Sequence, residues 1–413
     1  MEYKVKKGDI YILKGPGKVG IKRGRIEAVG KSVKNGEEVL VPLGKSIPLE
    51  VKEESTLSIE IEKPGEIRRI RERTIPSSWD NLVKRIVREK ARTILVLGEV
   101  DTGKSFFATY LANKLLEQGV KPAVLDGDPG QSDVGIPGTL GLAALKKQVV
   151  FLTEASISAI YFVGSHSPGL HFLPTIVGIK RLVEAGLKKA NTVIINTTGW
   201  VQSDGGRALK RAKIEILYPE IIVLLQRTDE LEHLIKGYAP KKIVRINVSK
   251  KASFTSAEDR KKLREMPSTR YFKGARKIRL SLERIATDRC YFGTGKEMKI
   301  PGTLYAERLS GFEGTLVVTK KPLPQEKLNV LSKKLGNIRN IVAGDEKGIL
   351  VGLLDEKGDT LGMGRIEEID YKKKGVLLST PVKDGGRIKI IQFGSLRITP
   401  EGREAGFVSP GYF

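Results

Sequence analysis

A glycine-rich loop at residues 98–105 carries the clearest chemistry in the sequence. It reads Gly-Glu-Val-Asp-Thr-Gly-Lys-Ser, which matches the pattern G-x-x-x-x-G-K-[ST]. In such a loop the backbone N–H groups surround phosphates, Lys104 reaches the outer phosphates and Ser105 offers its hydroxyl to Mg²⁺. We therefore expect the chain to bind a nucleoside triphosphate, with ATP as phosphate donor. The residues expected to contact it are Gly98, Glu99, Val100, Asp101, Thr102, Gly103, Lys104, Ser105 and Phe106.

The segments on either side of this loop support that interpretation. Residues 93–97 form a short apolar run typical of a buried parallel strand, and apolar residues recur at helical spacing over 105–117. A strand, a glycine loop and a helix in this order direct the positive end of the helix dipole at the phosphates. A chance match to the pattern would not bring both flanking elements.

Two carboxylates follow the next apolar run, in the sequence Asp-Gly-Asp-Pro-Gly-Gln at 126–131. In open α/β sheets ligands lie beyond the carboxyl ends of the strands, so Asp126 and Asp128 should lie near the γ-phosphate and the metal. One carboxylate would hold Mg²⁺ or its water together with Ser105, and the other would accept the proton of an attacking hydroxyl. The alternative is an Asx-turn that only shapes the loop. A second carboxylate favours a kinase.

Other classes of phosphate-loop protein fit less well. A guanine-reading switch protein would need Asn-Lys-x-Asp, whereas the nearest string, Asn-Lys-Leu-Leu at 113–116, lies on the loop's own helix and lacks the aspartate. The sequence Leu-Ser-Gly-Gly-Gln of transporter-type ATPases is absent.

Two further motifs point to a nucleic-acid substrate. Asn-Thr-Thr-Gly-Trp at 196–200 follows an apolar run, and the indole of Trp200 could stack on a base. A core tryptophan is the alternative. Arg260 and Arg264 stand four residues apart on a predicted helix, 256–264, so their guanidiniums should face one transferring phosphoryl group. A solvated helix face is the alternative there.

Together these motifs resemble the polynucleotide 5′-hydroxyl kinases, the family of the RNA kinase of mRNA cleavage and polyadenylation and the nucleolar kinase of pre-rRNA processing. The resemblance covers about 93–275: the phosphate loop, Asp-x-Gly-Gln at 128–131, the family's clasp at 197–200, and a lid with Arg-x-x-x-Arg at 260–264 followed by Tyr271-Phe272. It implies catalytic roles for Lys104, Asp128, Arg260 and Arg264. It also implies substrate contacts from Gln131, Thr197, Thr198, Gly199 and Trp200.

The order of elements predicts an α/β fold, a doubly wound parallel sheet of the P-loop NTPase type flanked by β domains at both ends. Short β-prone runs separated by turns fill 1–75 and 286–413, and strands alternate with helices over 76–285, with the lid near 256–276. Strands are expected at 122–125, 149–152, 160–163, 192–196, 221–225 and 243–248. Residues 68–76 are expected to link the first two domains, and Ser77 or Ser78 to cap the first helix.

The charge of the chain indicates which kinds of partner it can bind. The 413-residue chain has a net charge of +25, and the basic segment, defined as residues 236–284, holds 16 basic and 4 acidic side chains. Such a segment attracts polyanions, here RNA or single-stranded DNA, although a solvated lysine-rich face is the alternative. No signal peptide or apolar run of membrane length is visible, so we expect a cytoplasmic protein without a membrane partner.

The sulfur and histidine content restricts other chemistry. Cys290 is the single cysteine, which excludes an internal disulfide, and His166 and His171 flank a turn without nearby carboxylates, so a zinc site is not expected. Four Met and one Cys beside 29% charged residues resemble heat-adapted proteins.

The sequence thus predicts an ATP- and Mg²⁺-dependent kinase for the 5′-hydroxyl of RNA, with DNA an open second substrate and protein partners unknown. The alternatives are a non-catalytic RNA-processing subunit that keeps ATP as a structural ligand, and a small-nucleoside kinase, which the +25 charge disfavours.

Overall fold

The computed structural model describes residues 2–63, 65–250, 257–311 and 313–413. They form two compact units, which are described separately. The first comprises the chain up to Gly135 together with Leu140–Ala159 and Thr175–Leu263; the second comprises Ile136–Thr139, Ile160–Pro174 and Arg264–Phe413. The predicted division at 75/76 and 285/286 stays a prediction.

The N-terminal part of the first unit is built from short strands, as the spacing of its β-prone runs predicts. These are β1 Glu2–Val5, β2 Ile10–Lys14, β3 Gly17–Arg23, β4 Arg25–Ala28, β5 Lys31–Lys34, β6 Glu38–Val41, β7 Ser46–Val51, β8 Ser55–Ile61 and β9 Glu66–Ile70. They form two antiparallel sheets, with strand orders β1-β8-β3-β6 and β5-β4-β7-β2-β9.

The elements that follow alternate between helix and strand. They are α1 Ser77–Glu89, β10 Thr93–Leu97, α2 Lys104–Glu117, β11 Pro122–Gly127, β12 Thr139–Ala144, β13 Ala159–Phe162, α3 Phe172–Leu187, β14 Thr192–Thr197, α4 Ser203–Leu217, β15 Ile221–Gln226, α5 Glu232–Ile235, β16 Ile243–Asn247 and α6 Ala257–Phe272. In the first unit the strands lie in the order β12-β11-β14-β10-β15-β16. The neighbours in the spatial order β11-β14-β10-β15-β16 are parallel to each other. Strand β12 pairs antiparallel with β11 at the edge of this order.

The N-terminal strands and the parallel sheet share one hydrophobic core. Trp79 of α1 is 1% exposed, donates its indole N–H to the Asn247 carbonyl at 2.9 Å and packs edge-on against Phe107 of α2. On the opposite end of α2, the buried amide of Asn113 donates to the carbonyl of Val29 at 2.8 Å. The helix that follows the phosphate loop is therefore held from both sides.

The second unit returns to β structure, as predicted. Its elements are β17 Arg276–Ser281, β18 Ala286–Asp288, β19 Lys296–Glu297, β20 Tyr305–Arg308, β21 Gly314–Thr319, α7 Gln325–Leu335, β22 Asn337–Val342, β23 Ile349–Leu354, β24 Thr360–Asp370, β25 Gly375–Thr380, β26 Ile390–Ile398 and β27 Glu404–Phe407. Two sheets form, β17-β25-β24-β23-β26-β18 with β27 beside β26, and β19-β20-β21-β22.

Three local expectations were wrong. Residues 149–152 form no strand, because the N–H of Val149 bonds the Asn113 side chain at 3.0 Å and that of Phe151 bonds Glu154 at 2.9 Å. The predicted linker begins as strand β9, a charged edge strand paired with β2. Helix α1 is capped by Pro76 without a side-chain cap bond. The start of the predicted helix at 256 lies outside the described residues.

Candidate active site

The site is assembled at the carboxyl edge of three parallel strands. Strand β14 pairs with β10 on one side and with β11 on the other, in a register that sets Asp126 beside Asn196. The loop after β10, the loop after β11 and the clasp loop, defined as residues 197–202, therefore leave the sheet at the same edge. This is where ligands bind in such folds.

The phosphate loop has the conformation that its glycines permit. Gly103 has φ +84° and Asp101 has φ +58°, so the chain turns sharply before α2 begins at Lys104. A Cβ on Gly98 would lie 2.7 Å from the Thr102 hydroxyl oxygen, which itself donates to the Glu99 carbonyl at 2.9 Å. The unpaired N–H groups of the first turn of α2 then face the loop's interior, as anion binding requires.

The two remaining residues expected at the nucleotide lie at the loop's edges. Val100 is 46% exposed. Phe106 lies in the first turn of α2, where its ring is 5.9 Å from that of Trp79. Any phosphate contact from Phe106 would thus come from its backbone.

Lys104 is the buried cation of the loop. Its side chain is 8% exposed and donates to the Glu99 carbonyl. Burial lowers the pKa of Lys104 to about 8, and the nearby carboxylates of Asp128 and Asp101 oppose that shift. A phosphate oxygen close to this ammonium would restore the pKa and be bound strongly in return.

Asp126 is fully buried and connected to Ser105. The Asn196 side-chain amide donates to the Ser105 hydroxyl at 3.1 Å and to Asp126 Oδ1 at 3.3 Å, and the Asp133 N–H donates to Asp126 Oδ2 at 2.6 Å. Burial, followed by the negative charges of Asp133 and Asp128, raises the pKa of Asp126 to about 8. A cation here would stabilise the ionised carboxylate.

Asp128 is bonded to its own loop through one carboxylate oxygen, and its role as proton acceptor stays a prediction. Its Oδ1 accepts the N–H groups of Gly130 at 2.9 Å and Gln131 at 3.2 Å, so it does form an Asx-turn. Its Oδ2 receives no hydrogen bond from the described part of the chain and is therefore available to a substrate proton. Gln131 itself is exposed.

These residues fit Mg²⁺. The donor set of a hydroxyl and carboxylates suits a hard cation that takes oxygen ligands and keeps several waters. Within the described ranges no group of three or more His, Cys, Asp or Glu could hold a metal by itself. Ser105 with Asp126 or Asp128 would therefore share the ion with substrate phosphates and water.

The clasp loop is anchored to its surroundings residue by residue. The Thr197 hydroxyl donates to the Val96 carbonyl at 2.8 Å, and Gly199 approaches the phosphate loop so closely that a Cβ would lie 2.6 Å from the Val100 nitrogen. Trp200 is half-buried and donates its indole N–H to the Ser203 hydroxyl at 3.1 Å. Trp200 is thus less buried than Trp79, which is 1% exposed.

Arg260 lies close to the phosphate loop. Its Nη1 is 3.5 Å from Asp101 Oδ2, and both side chains are about three-quarters or more buried, at 24% and 14% exposed. The predicted lid helix therefore brings one of its two arginines to the nucleotide-binding loop.

Arg264 has a different acidic partner. In the second unit its Nε is 2.9 Å from Glu404 Oε1, which also lies 2.9 Å from His166 Nδ1. The His166 hydrogen bond, aided by Arg264, lowers the pKa of Glu404 to about 2. The expected convergence of Arg260 and Arg264 on one phosphoryl group stays a prediction.

Several residues at or near the site were not predicted from the sequence. Asn196 immediately precedes the recognised clasp motif, and Gln202 donates to Glu99 of the phosphate loop at 2.7 Å. Lys210 and Lys213 lie on the buried side of α4 among Leu209, Ile214 and Leu217. Lysines on the apolar stripe of an amphipathic helix were the signal that could have revealed them.

Replacing Lys213 with Met should stabilise the protein near neutral pH. Lys213 is fully buried, its Nζ finds no hydrogen-bond partner among the described residues, and burial lowers its pKa to about 8. Removing an unsatisfied buried charge should gain about 1 to 3 kcal/mol of unfolding free energy at pH 7.

The stability gained by Lys213→Met should decrease as the pH rises above 8. Between pH 8 and 10.5 the folded state has released the Lys213 proton while the unfolded state still binds it, so wild-type stability rises with pH across this range. The advantage of Lys213→Met should therefore shrink from pH 8 upward. Thermal unfolding of both proteins at pH 7 and pH 10 checks this, and an equal difference at both values would contradict it.

Comparisons with known proteins agree with the geometry. The family described as "mRNA cleavage and polyadenylation factor CLP1 P-loop" matches residues 98–274. A polyribonucleotide 5′-hydroxyl-kinase of Pyrococcus furiosus is 33% identical over 81% of this chain and 96% of its own length. One from Pyrococcus abyssi is 30% identical over 77% of this chain and 91% of its own.

A solved structure supports the fold along the whole chain. The Clp1p chain of a Clp1p–Pcf11p complex has a TM-score of 0.67 and 17% identity, covering 96% of this chain and 97% of that one. In the described residues no helix is long and apolar enough to cross a membrane. The chain belongs to the polyribonucleotide 5′-hydroxyl-kinase family.

Proposed function

We propose that this protein transfers the γ-phosphate of ATP to the 5′-hydroxyl of RNA, with Mg²⁺ as cofactor. The observation that carries the proposal is the meeting, at one sheet edge, of a phosphate loop, a carboxylate with an available oxygen at Asp128, and the clasp loop bearing Trp200. The similarity to polyribonucleotide 5′-hydroxyl-kinases over most of the chain supports the same substrate class.

The phosphate loop and Lys104 bind the phosphates of ATP. The N–H groups at the start of α2 and the Lys104 ammonium hold the β- and γ-phosphates. Ser105 with Asp126 or Asp128 would hold Mg²⁺, which supplies positive charge to the phosphate oxygens as the transferring group loosens.

Asp128 acts as the general base for the 5′-hydroxyl. Its available Oδ2 accepts the proton of the 5′-hydroxyl as that oxygen bonds to the γ-phosphorus, and the bond from the γ-phosphorus to the bridging oxygen of ADP breaks. Arg260, whose Nη1 lies 3.5 Å from Asp101 Oδ2 of the phosphate loop, would neutralise charge on the transferring group. Arg264 is assigned the same role on the family motif.

The decisive experiment incubates the protein with a 5′-hydroxyl oligoribonucleotide, γ-labelled ATP and Mg²⁺. Label should appear on the 5′ end, and a 5′-phosphorylated oligonucleotide of the same sequence should accept none. ATP binding without label transfer would instead support a structural nucleotide, and transfer only to free nucleosides would indicate a small-molecule kinase. A deoxyribonucleotide acceptor in parallel measures the preference for RNA over DNA.

Replacing Trp200 with Ala should weaken oligonucleotide binding far more than ATP binding. The indole is half-buried on the clasp loop, where it can stack on the acceptor's terminal base. Loss of one stacked base corresponds to about 1 to 3 kcal/mol, or roughly 5- to 150-fold in affinity. Titrations of both ligands with the variant measure the effect.

Trp79→Ala is the matched control, because that tryptophan is 1% exposed in the core. It should lower the melting temperature and weaken both ligands together, since truncating a buried Trp costs about 3 to 5 kcal/mol. If Trp200→Ala behaves like Trp79→Ala, the stacking role is wrong.

Oligonucleotide affinity should fall steeply with added salt. The basic segment presents exposed lysines and arginines, among them Lys241, Lys273 and Lys277. For a single strand the slope of log K against log salt is about −0.7 per phosphate contact, so Lys273→Ser should make the slope less negative by about 0.7. Lys327→Ser, an equally exposed lysine of α7, should leave the slope unchanged. A flat response in the wild type would contradict the prediction.

A further inference from the structure

Helix α4 carries two lysines where its pattern calls for apolar residues. Lys210 and Lys213 are both 0% exposed, three residues apart on the buried face of the helix. Burying an ammonium is costly unless its charge is paired or hydrogen-bonded. The burial of two lysines on one helix face therefore needs a structural or functional explanation.

Lys210 meets that requirement through the clasp loop. Its Nζ donates to the Thr198 carbonyl and, at 2.9 Å, to the Thr198 hydroxyl. Both partners are dipoles of the same residue, itself 4% exposed, so one buried ammonium fixes the backbone and the side chain of Thr198 together. Lys213 has no such bond within the described residues.

The remaining residues of the loop are held by other elements. Thr197 is bonded to the end of β10, Gly199 contacts Val100 of the phosphate loop and Trp200 is bonded to Ser203 at the start of α4. Lys210 holds Thr198, which lies between Thr197 and Gly199, from the buried side of the loop. Without it the Thr198 carbonyl would lose its buried donor, and the segment between Thr197 and Trp200 would be free to shift.

The electrostatic setting shows that a neutral residue would be easier to bury. Burial, followed by the positive charges of Lys213 and Lys104, lowers the pKa of Lys210 well below its usual value, while the negative charge of Asp128 opposes the shift. A hydrophobic side chain would avoid this cost but could not donate to Thr198.

We propose that Lys210 is a positioning residue for the acceptor: by holding Thr198 it sets the clasp loop in the geometry that receives the 5′ end of the polynucleotide. The inference rests on the proposed kinase function and deepens it, because it separates acceptor positioning from nucleotide binding. Displacing a reacting group by about 1 Å can cost on the order of 10²-fold in rate, so the effect of losing this anchor should be large.

The test compares Lys210→Met with Lys213→Met in the full-length protein. Both substitutions remove a fully buried ammonium from the same face of α4, yet only the first removes bonds to the clasp loop. Lys210→Met should raise the KM for a 5′-hydroxyl oligoribonucleotide by about 10- to 100-fold, while the Kd for ATP stays within about threefold of wild type. Lys213→Met should leave that KM within about threefold.

A second variant guards against a folding defect. Thr198→Val keeps the shape of Thr198 but removes the hydroxyl acceptor, so it should raise the acceptor KM by about 3- to 10-fold without affecting ATP binding. Combined with Lys210→Met it should add nothing further, because both changes act on one contact.

Three results would overturn the proposal: an unchanged acceptor KM in Lys210→Met, equal losses in Lys210→Met and Lys213→Met, or an unchanged KM in Thr198→Val. Failure of the proposed function itself is recognised separately, because the wild-type protein would then label no 5′-hydroxyl end.

Discussion

Asp128→Asn should reduce turnover by about 10²- to 10⁴-fold while leaving ATP affinity within about threefold, because it removes the proton acceptor and little else. The Asx-turn bonds from Gly130 and Gln131 end on Oδ1, which the amide retains. The loop should keep its shape. Steady-state kinetics with a 5′-hydroxyl oligoribonucleotide, together with an ATP titration, measure both quantities.

Asp126 is the natural comparison for this prediction. Both of its carboxylate oxygens already accept hydrogen bonds, from Asn196 and the Asp128 N–H on one side and from the Asp133 N–H on the other. It is therefore poorly placed to take a substrate proton, and Asp126→Asn should raise the Mg²⁺ concentration needed for activity. If Asp128→Asn keeps more than about a third of the wild-type kcat, Asp126 becomes the candidate base.

Gly199→Ala should lower kcat/KM by about 10²-fold and weaken ATP and oligonucleotide together. The new Cβ would lie 2.6 Å from the Val100 nitrogen and 2.7 Å from the Val100 Cα, closer than real Cβ contacts allow. Because these are backbone atoms, the clasp loop or the phosphate loop must move. This joint loss would distinguish the variant from Trp200→Ala, which should affect the oligonucleotide alone.

Gly385→Ala is the matched control for this substitution. A Cβ there would meet the side chains of Ile278 and Leu280 at 3.8 Å, an ordinary contact. Both ligand affinities should stay at wild-type values. If Gly199→Ala binds ATP normally, the two loops are not in the close contact described above.

The sequence predicted those features whose cause is local. The phosphate loop needs glycines at fixed places, and the buried strands β10, β14 and β15 are apolar runs bounded by polar residues, so both were recognised. Strand β12 was missed because its place beside β11 is decided by the neighbouring strands rather than by its own residues.

The residues missed at or near the site share one physical reason. Lys210 and Asn196 act through burial and through hydrogen-bond partners elsewhere in the chain, and Lys213 is distinguished by its burial alone; none of these features is visible in the local pattern. Residues 149–152 were wrongly predicted as a strand. They have the composition of a strand, but the side chains of Asn113 and Glu154 accept hydrogen bonds from their backbone N–H groups.

The shared core of the first unit has a consequence for cooperativity. Ile26, Val29 and Leu49 of the N-terminal β region belong to the same buried cluster as Tyr110 and Leu111 of α2. Removing the first 75 residues would uncover that face of α2 and leave the buried Asn113 amide without the Val29 carbonyl. We therefore expect the N-terminal strands and the nucleotide-binding elements to unfold together, so that nucleotide bound at the phosphate loop also protects strands that do not touch it from unfolding.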